Sequence, residues 1–203
     1  MVAAVHLHDP KDPREERTVR RLSQAVLAIA VEQDITKTSV AEVARKAGIN
    51  RSTFYAYATS PVALLTSVLY AELDIDRRKN RCEMKAGKRV TRDILRRPLE
   101  QIADHVEQHI GIYAGPHQQS ACYAMRVILA EHVEQSVLET FAEGSIELPA
   151  TGSPFTAMSA SFLAHGIVGA VEAWLQLPAP RSRSVLFEAI EQMYPPWFAQ
   201  TSS

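Results

Sequence analysis

The 203-residue chain predicts an all-α fold with two parts: an N-terminal three-helix helix-turn-helix domain and a larger C-terminal helical domain. Three observations carry that prediction. Helix signals dominate, and no apolar/polar alternation of the kind a half-buried strand shows persists beyond a few residues. Helix-start signatures recur: Asp12-Pro13 with Glu15, Ser39 with Glu42, Ser60-Pro61 and Ser153-Pro154 each offer a capping side chain followed by an acid at the third helical position or a proline at the first. Stop signals answer them at Gly48, Gly115-Pro116, Gly144 and Pro178-Ala179-Pro180.

Taken in order, these signals predict helices over roughly 13–33, 39–47, 50–57, 60–82, 92–113, 118–142, 154–177 and 182–193. The expected organisation is a flexible extension over 1–12, a helix-turn-helix domain over 13–59 and a further helical domain over 60–203. Cys82 and Cys122 are far apart in sequence and fit neither a redox pair nor a metal-ligand spacing, and the N-terminus lacks the apolar stretch of a secretory signal. A reducing, cytoplasmic setting is expected. The most apolar run, Thr156 to Leu177, is broken by His165, Glu172 and several small residues, which reads as a buried helix and not a membrane span.

The net charge of −1 conceals strong segregation: residues 77–97 carry +8 and residues 98–203 carry −8. Local potential rather than total charge attracts nucleic acid, so near-neutrality leaves an anionic partner open. The basic run Arg77–Arg97 reads either as a second anionic contact or as a solvated linker answering the acidic half.

The stretch Val43–Ala58, VARKAGINRSTFYAYA, carries the functional signal. Val40, Val43, Ala44 and Ala47 form an inward face, Gly48 closes the short helix in a left-handed conformation, and Asn50 caps the next. A small residue at Ala44 permits two helices to cross steeply through a tight turn, which is helix-turn-helix geometry. Phe54 is expected in the small core, and Arg51, Ser52, Thr53, Tyr55 and Tyr57 on exposed faces, where a recognition helix meets base edges and phosphates.

From Leu22 to Leu65 the chain resembles the DNA-binding domain of the tetracycline-repressor (TetR) family. The resemblance rests on Thr38-Ser39-Val40, Ala44, Ala47-Gly48-Ile49-Asn50 and Phe54-Tyr55. It implies a double-stranded DNA operator, phosphate contacts from Ser39, Tyr57 and Tyr55, and base contacts from Arg51, Ser52 and Thr53, with Asn50 and Lys46 beside them. The chain departs from the family at three places. Asp34 stands where a turn glycine is usual and is expected to adopt the same turn, Ala58 replaces a phenylalanine, and Pro61 replaces a phosphate-binding lysine whose work falls to cations such as Lys37, Arg45 and Lys46.

The resemblance makes the remaining helices a sensor and dimerisation domain. The segment SFLAHGIVGAVEAWLQL is apolar on nearly all faces and contains a stripe of small residues, Gly166, Gly169, Ala170 and Ala173, suited to close helix approach. It also resembles the C-terminal domain of one branch of the family, in which a Gly-x-x-Gly helix ends in Trp-Leu, matched by Gly166, Gly169, Trp174 and Leu175. A homodimer joined through a four-helix bundle is the expectation, with Trp174 at the interface, as is intrachain packing of the glycines if it fails. A dimer implies a palindromic operator and repression relieved when a small-molecule effector swings the fourth helix.

Polar and aromatic residues on otherwise apolar helices are the expected effector contacts: His105, His109, Tyr113, Tyr123, Arg126, Phe162 and His165. His105 and His109, four apart, could hold Zn²⁺ or Cu²⁺ if Cys122 or His132 supplied a third ligand, giving a metal-sensing regulator as an alternative. No third ligand is fixed by the sequence, so no metal or cofactor is expected. No nucleophile elbow, P-loop, dinucleotide fingerprint or HExxH occurs, which argues against an enzyme and leaves a helical adaptor as the other non-catalytic reading.

Overall fold

The computed structural model describes residues 12–85, 91–144, 146, 148 and 152–199, and among them every regular element is helical. The helices are α1 (Pro13–Glu32), α2 (Val40–Ala47), α3 (Arg51–Tyr55), α4 (Pro61–Lys85), α5 (Thr91–Gln108), α6 (Ile110–Tyr113), α7 (Gln118–Ala142), α8 (Ser153–Leu175), α9 (Arg183–Met193) and α10 (Pro196–Ala199), with a 3₁₀ turn at Ile35–Lys37. The expected extension over residues 1–12 lies, except for Asp12, outside the described residues.

Most capping signatures act as their chemistry dictates. Asp12 accepts from the amides of Arg14 and Glu15, Ser39 from that of Glu42, and Ser60 from that of Ala63, each satisfying a donor that a helix leaves orphaned. Ser153 differs, because it is the first residue of α8 and Gly152, at φ 122°, precedes it. The helix expected over 92–113 is interrupted at His109, whose φ of −107° and ψ of 28° divide α5 from α6.

Asp34 provides another difference. A turn glycine would make a left-handed conformation available there, and Asp34 does not adopt it. Instead it stays at φ −64° and caps the 3₁₀ turn, accepting from the amide and hydroxyl of Thr36. The side chain builds the turn by hydrogen bonding, so no left-handed backbone is needed.

The described residues form two compact units, one of residues up to Glu72 together with those of Gln108–Met125, the other of residues in Leu73–Glu107 together with those from Arg126 onward. The expected boundary near residue 60 therefore falls inside the first unit. Leu22, Val26, Ile29, Val43, Phe54, Leu64, Leu65 and Leu69 form its core. Burying each such side chain contributes roughly 1.5–3 kcal/mol before chain entropy is counted. Helix α6 packs on α1, with Gly111 against Val31.

In the second unit α9 is fastened to α5. The Arg183 guanidinium pairs with Asp104 and Glu107, while Arg96 lies 4.4 Å from the Phe187 ring centre and 2.9 Å from Glu191. Hydrogen bonding from Arg183 holds the Glu107 carboxyl below its ordinary range. Residues Pro154–Leu175 are long and apolar enough to cross a membrane by length and composition. In the fold that helix packs on α9, and its Leu163, Ile167, Val171 and Leu175 are buried.

Candidate nucleic-acid interface and sensor pocket

The turn between α2 and α3 takes its shape from Gly48, which sits at φ 63°, ψ 40°. Its amide returns to the carbonyls of Ala44 and Arg45, and the amide of Ile49 to that of Ala44, 2.9 Å away, closing α2. Val43, Ala44 and Ala47 are buried beneath the turn, and Phe54 of α3 is fully buried below them. With its apolar residues turned inward, α3 presents Arg51, Ser52 and Tyr55 to solvent, with Thr53 half-exposed.

Asn50 organises this end of α3. Its Oδ1 accepts from the Thr53 amide at 2.7 Å and lies within 2.8 Å of the hydroxyls of both Ser52 and Thr53. Asn50 thus acts as a cap that gathers its neighbours, and the Ser52 and Thr53 hydroxyls, donating to it, turn lone pairs outward. Arg51 projects free of the cap.

The residues expected at phosphates are spread around that end. Ser39 caps α2, and Tyr57 is half-exposed. Burial, reinforced by the charge of Glu15, raises the Tyr57 hydroxyl above its usual range against the opposing effect of Thr18. Tyr57 therefore stays a neutral donor near pH 7. Lys46 reaches back to Glu32 at 2.9 Å, and Lys37 is exposed beside Asp34.

Part of the basic run serves the protein's own interior. Arg77 pairs with Asp74 and with Glu139, and Arg78 meets the other oxygen of Asp74 at 2.7 Å. Burial works against the Arg77 charge, but bonds and charges from Asp74 and Glu139 outweigh it and leave the guanidinium more basic than usual. The side chains of 79–95 lie outside the described residues.

Among the described residues, those expected to meet an effector fall in both units. Tyr113 is buried in the first unit, where its ring meets His109 edge-on at 6.5 Å, and burial pushes its hydroxyl far up. His109 Nε2 lies 2.5 Å from Glu72. His105 is buried in the second unit, Arg126 pairs with Glu172 on the surface, and His165 is exposed with its ring 2.9 Å from the Ser161 carbonyl. Phe162 is exposed, and the Tyr123 side chain lies outside the described residues.

A cleft in the second unit has a different lining. Apolar residues of α5, α7 and α8, among them Leu99, Ile102, Val133, Val137 and Ile167, surround a free volume of about 50 Å³. His132, Ser136, Thr140 and Tyr194 supply its polar groups. His132 is only 4% exposed, and its Nδ1 has no hydrogen-bond partner among the described residues. Burial, with Arg77 acting in the same direction and Asp74 against it, pulls the imidazole down to about 4, so it is neutral near pH 7. Sequence reasoning considered His132 only as a possible metal ligand. Its position with Ser136 and Thr140 at four-residue spacing was the available signal.

The small-residue stripe of α8 has open space before it. A Cβ at Gly166 or Gly169 would meet nothing within 4 Å among the described residues, and Gly166 lines a cleft with Phe162, Ile190, Met193 and Tyr194. Phe155, Met158 and Phe162 on the same helix are 55%, 69% and 70% exposed, and Ala173 is exposed too, with Ala170 half-buried. Trp174 is not on that face: it is buried, and its Nε1 donates to the Ser182 carbonyl at 3.0 Å, tying α8 to the α9 connection.

Two short helices joined by a left-handed glycine, the second exposing Arg51, Ser52 and Tyr55, define a helix-turn-helix DNA-reading domain attached to further helices. Residues 24–68 match the family profile described as bacterial regulatory proteins, tetR family. The chain is a DNA-binding transcriptional regulator with a TetR-type reading domain. Two solved structures share the fold. The fatty acid degradation regulator FadR from Bacillus halodurans aligns with a TM-score of 0.59 at 14% identity, over 91% of this chain and 96% of its own. A putative TetR-family transcriptional regulator from Rhodococcus sp. aligns with a TM-score of 0.51 at 21% identity, over 87% and 97%. No curated protein matches this sequence.

Proposed function

We propose that the chain acts as a homodimeric repressor of a palindromic operator, released by a small-molecule effector bound in the C-terminal helices. The observation that carries this reading is the α3 end: Arg51 stands clear of the Asn50 cap while the Ser52 and Thr53 hydroxyls are drawn together beside it. A guanidinium so placed suits bidentate bonding to guanine O6 and N7, and outward lone pairs suit the amino groups of adenine or cytosine. Ser39, Tyr55, Tyr57 and Lys46 then supply backbone contacts that fix register, with Lys46 exchanging Glu32 for a phosphate.

Dimerisation is supported by the exposed apolar stripe of α8, which resembles the Gly-x-x-Gly helix of one branch of the family. Glycines with open space before them let a second copy's helix approach closely, and exposed Phe155, Met158 and Phe162 gain burial by it. The setting is cytoplasmic, where DNA is available. Selection from a random double-stranded DNA library tests the whole reading: enrichment of an inverted repeat with halves about one helical turn apart, or slightly more, supports it. An adaptor without DNA binding enriches nothing. Phe162→Glu is the companion variant, expected to give a monomer in sedimentation and to lose the inverted repeat.

A further inference from the structure

The geometry points to the α5–α7–α8 cleft as the effector site, and to a small, uncharged, largely apolar molecule bearing a hydroxyl group as the class of ligand it takes. This rests on the effector reading above and specifies its chemistry. The cleft's polar groups run along one face of α7 at residues 132, 136 and 140. Their hydrogen-bonding states are set locally. The Ser136 hydroxyl donates to the His132 carbonyl at 2.8 Å, and the Thr140 hydroxyl to the Ser136 carbonyl at 2.9 Å. Both hydroxyls therefore have lone pairs, not protons, left to offer a ligand.

His132 adds a ring nitrogen that is buried and without a partner among the described residues. A buried polar atom left unpaired carries a free-energy penalty, which a ligand's hydrogen bond would remove. A ligand hydroxyl pairs with that nitrogen in either tautomer, because it both donates and accepts, and it donates to Ser136 or Thr140 as well.

Charge is excluded by the surroundings. The nearby Arg77 is already paired with Asp74 and Glu139, so an anion entering the cleft would lose its hydration opposite a neutral imidazole. An ammonium group would face apolar walls without a carboxylate among the cleft's lining. The free volume of about 50 Å³ holds only a few water-sized groups, which limits the ligand to a single ring or a short chain.

The test uses the full-length protein with phenol, toluene and benzoate as probes of nearly equal size, measured by calorimetry and by thermal shift. Phenol is expected to saturate one site per chain, toluene to bind at least about tenfold more weakly, and benzoate not to compete. His132→Leu is expected to bring phenol down to the level of toluene, and Ser136→Ala to weaken phenol by a smaller factor without affecting toluene. Should His132→Leu fail to fold, Ser136→Ala combined with Thr140→Val gives the same comparison. Equal binding of phenol and toluene by the unaltered protein, unchanged phenol binding in the variants, preferential binding of benzoate, or no binding of any probe overturns the assignment. DNA selection in the absence of probe is scored separately: loss of an enriched inverted repeat removes the regulator reading, whereas its persistence with any of those outcomes removes only the ligand class.

Discussion

The guanidinium of Arg21, on α1, donates to the carbonyl of Gly48 at 2.5 Å, tying the first helix to the turn that aims the recognition helix. The bond spans 27 residues and lies where an added Cβ on Gly48 would collide with the same guanidinium. One glycine thus meets two demands, a left-handed backbone and room for its neighbour.

Gly48→Ala is expected to destabilise the protein by about 1–2 kcal/mol from the left-handed conformation alone, and further by displacing Arg21. Arg21→Ala, which leaves the turn conformation intact, is expected to cost about 1 kcal/mol. Urea unfolding of both variants checks the order. A Gly48→Ala variant as stable as the original protein would mean the turn is not held as described.

Arg51→Ala is expected to leave stability within about 0.5 kcal/mol, because the side chain is exposed, while lowering discrimination between operator sequences by about 5- to 150-fold. Mobility-shift titrations on the selected inverted repeat and on its point variants read this directly. Uniform weakening on all sequences would reassign Arg51 to a phosphate.

Arg77→Met is expected to destabilise toward the low end of about 3–5 kcal/mol, since Asp74, 3% exposed, keeps only Arg78 as a charged partner among the ion pairs described above. Adding Asp74→Asn to it should recover part of the loss by removing the buried charge. DNA affinity at fixed salt should change little once folding is allowed for, in contrast to the behaviour of a phosphate contact.

His132 makes stability fall as the solution is acidified. The folded imidazole protonates at about 4 against an ordinary value of 6.5, so between those limits the unfolded chain binds a proton that the folded chain does not. Stability is fully present above about 6.5, declines as pH falls toward about 4 and is flat below, with a total of about 3 kcal/mol. His132→Leu should lack this component, so the difference between the two proteins' pH–stability curves in chemical denaturation isolates it. Parallel curves would show that His132 is not buried in neutral form.

Much of the first unit was legible in the sequence because its determinants are local. Caps at Asp12, Ser39 and Asn50, the left-handed Gly48, and the inward spacing of Val43, Ala44, Ala47 and Phe54 each act within a turn or two of their own position. Even the departure at Asp34 is local, and only its means differs from the expectation: a side-chain cap in place of a left-handed backbone.

The C-terminal half divides differently. The sequence by itself determined that α8 is apolar and carries small residues, yet only the tertiary structure decided which side meets α9 and which is left open, turning Trp174 inward and Phe162 outward. The sensor residues show the same limit. A histidine on an apolar helix looks alike whether it is paired or orphaned, and the partners of His109 and Arg126 lie 37 and 46 residues away, while His132 has a ring nitrogen with none described. Capping and turn geometry are written in neighbouring residues, but burial and pairing depend on which distant side chains the fold brings to the same place.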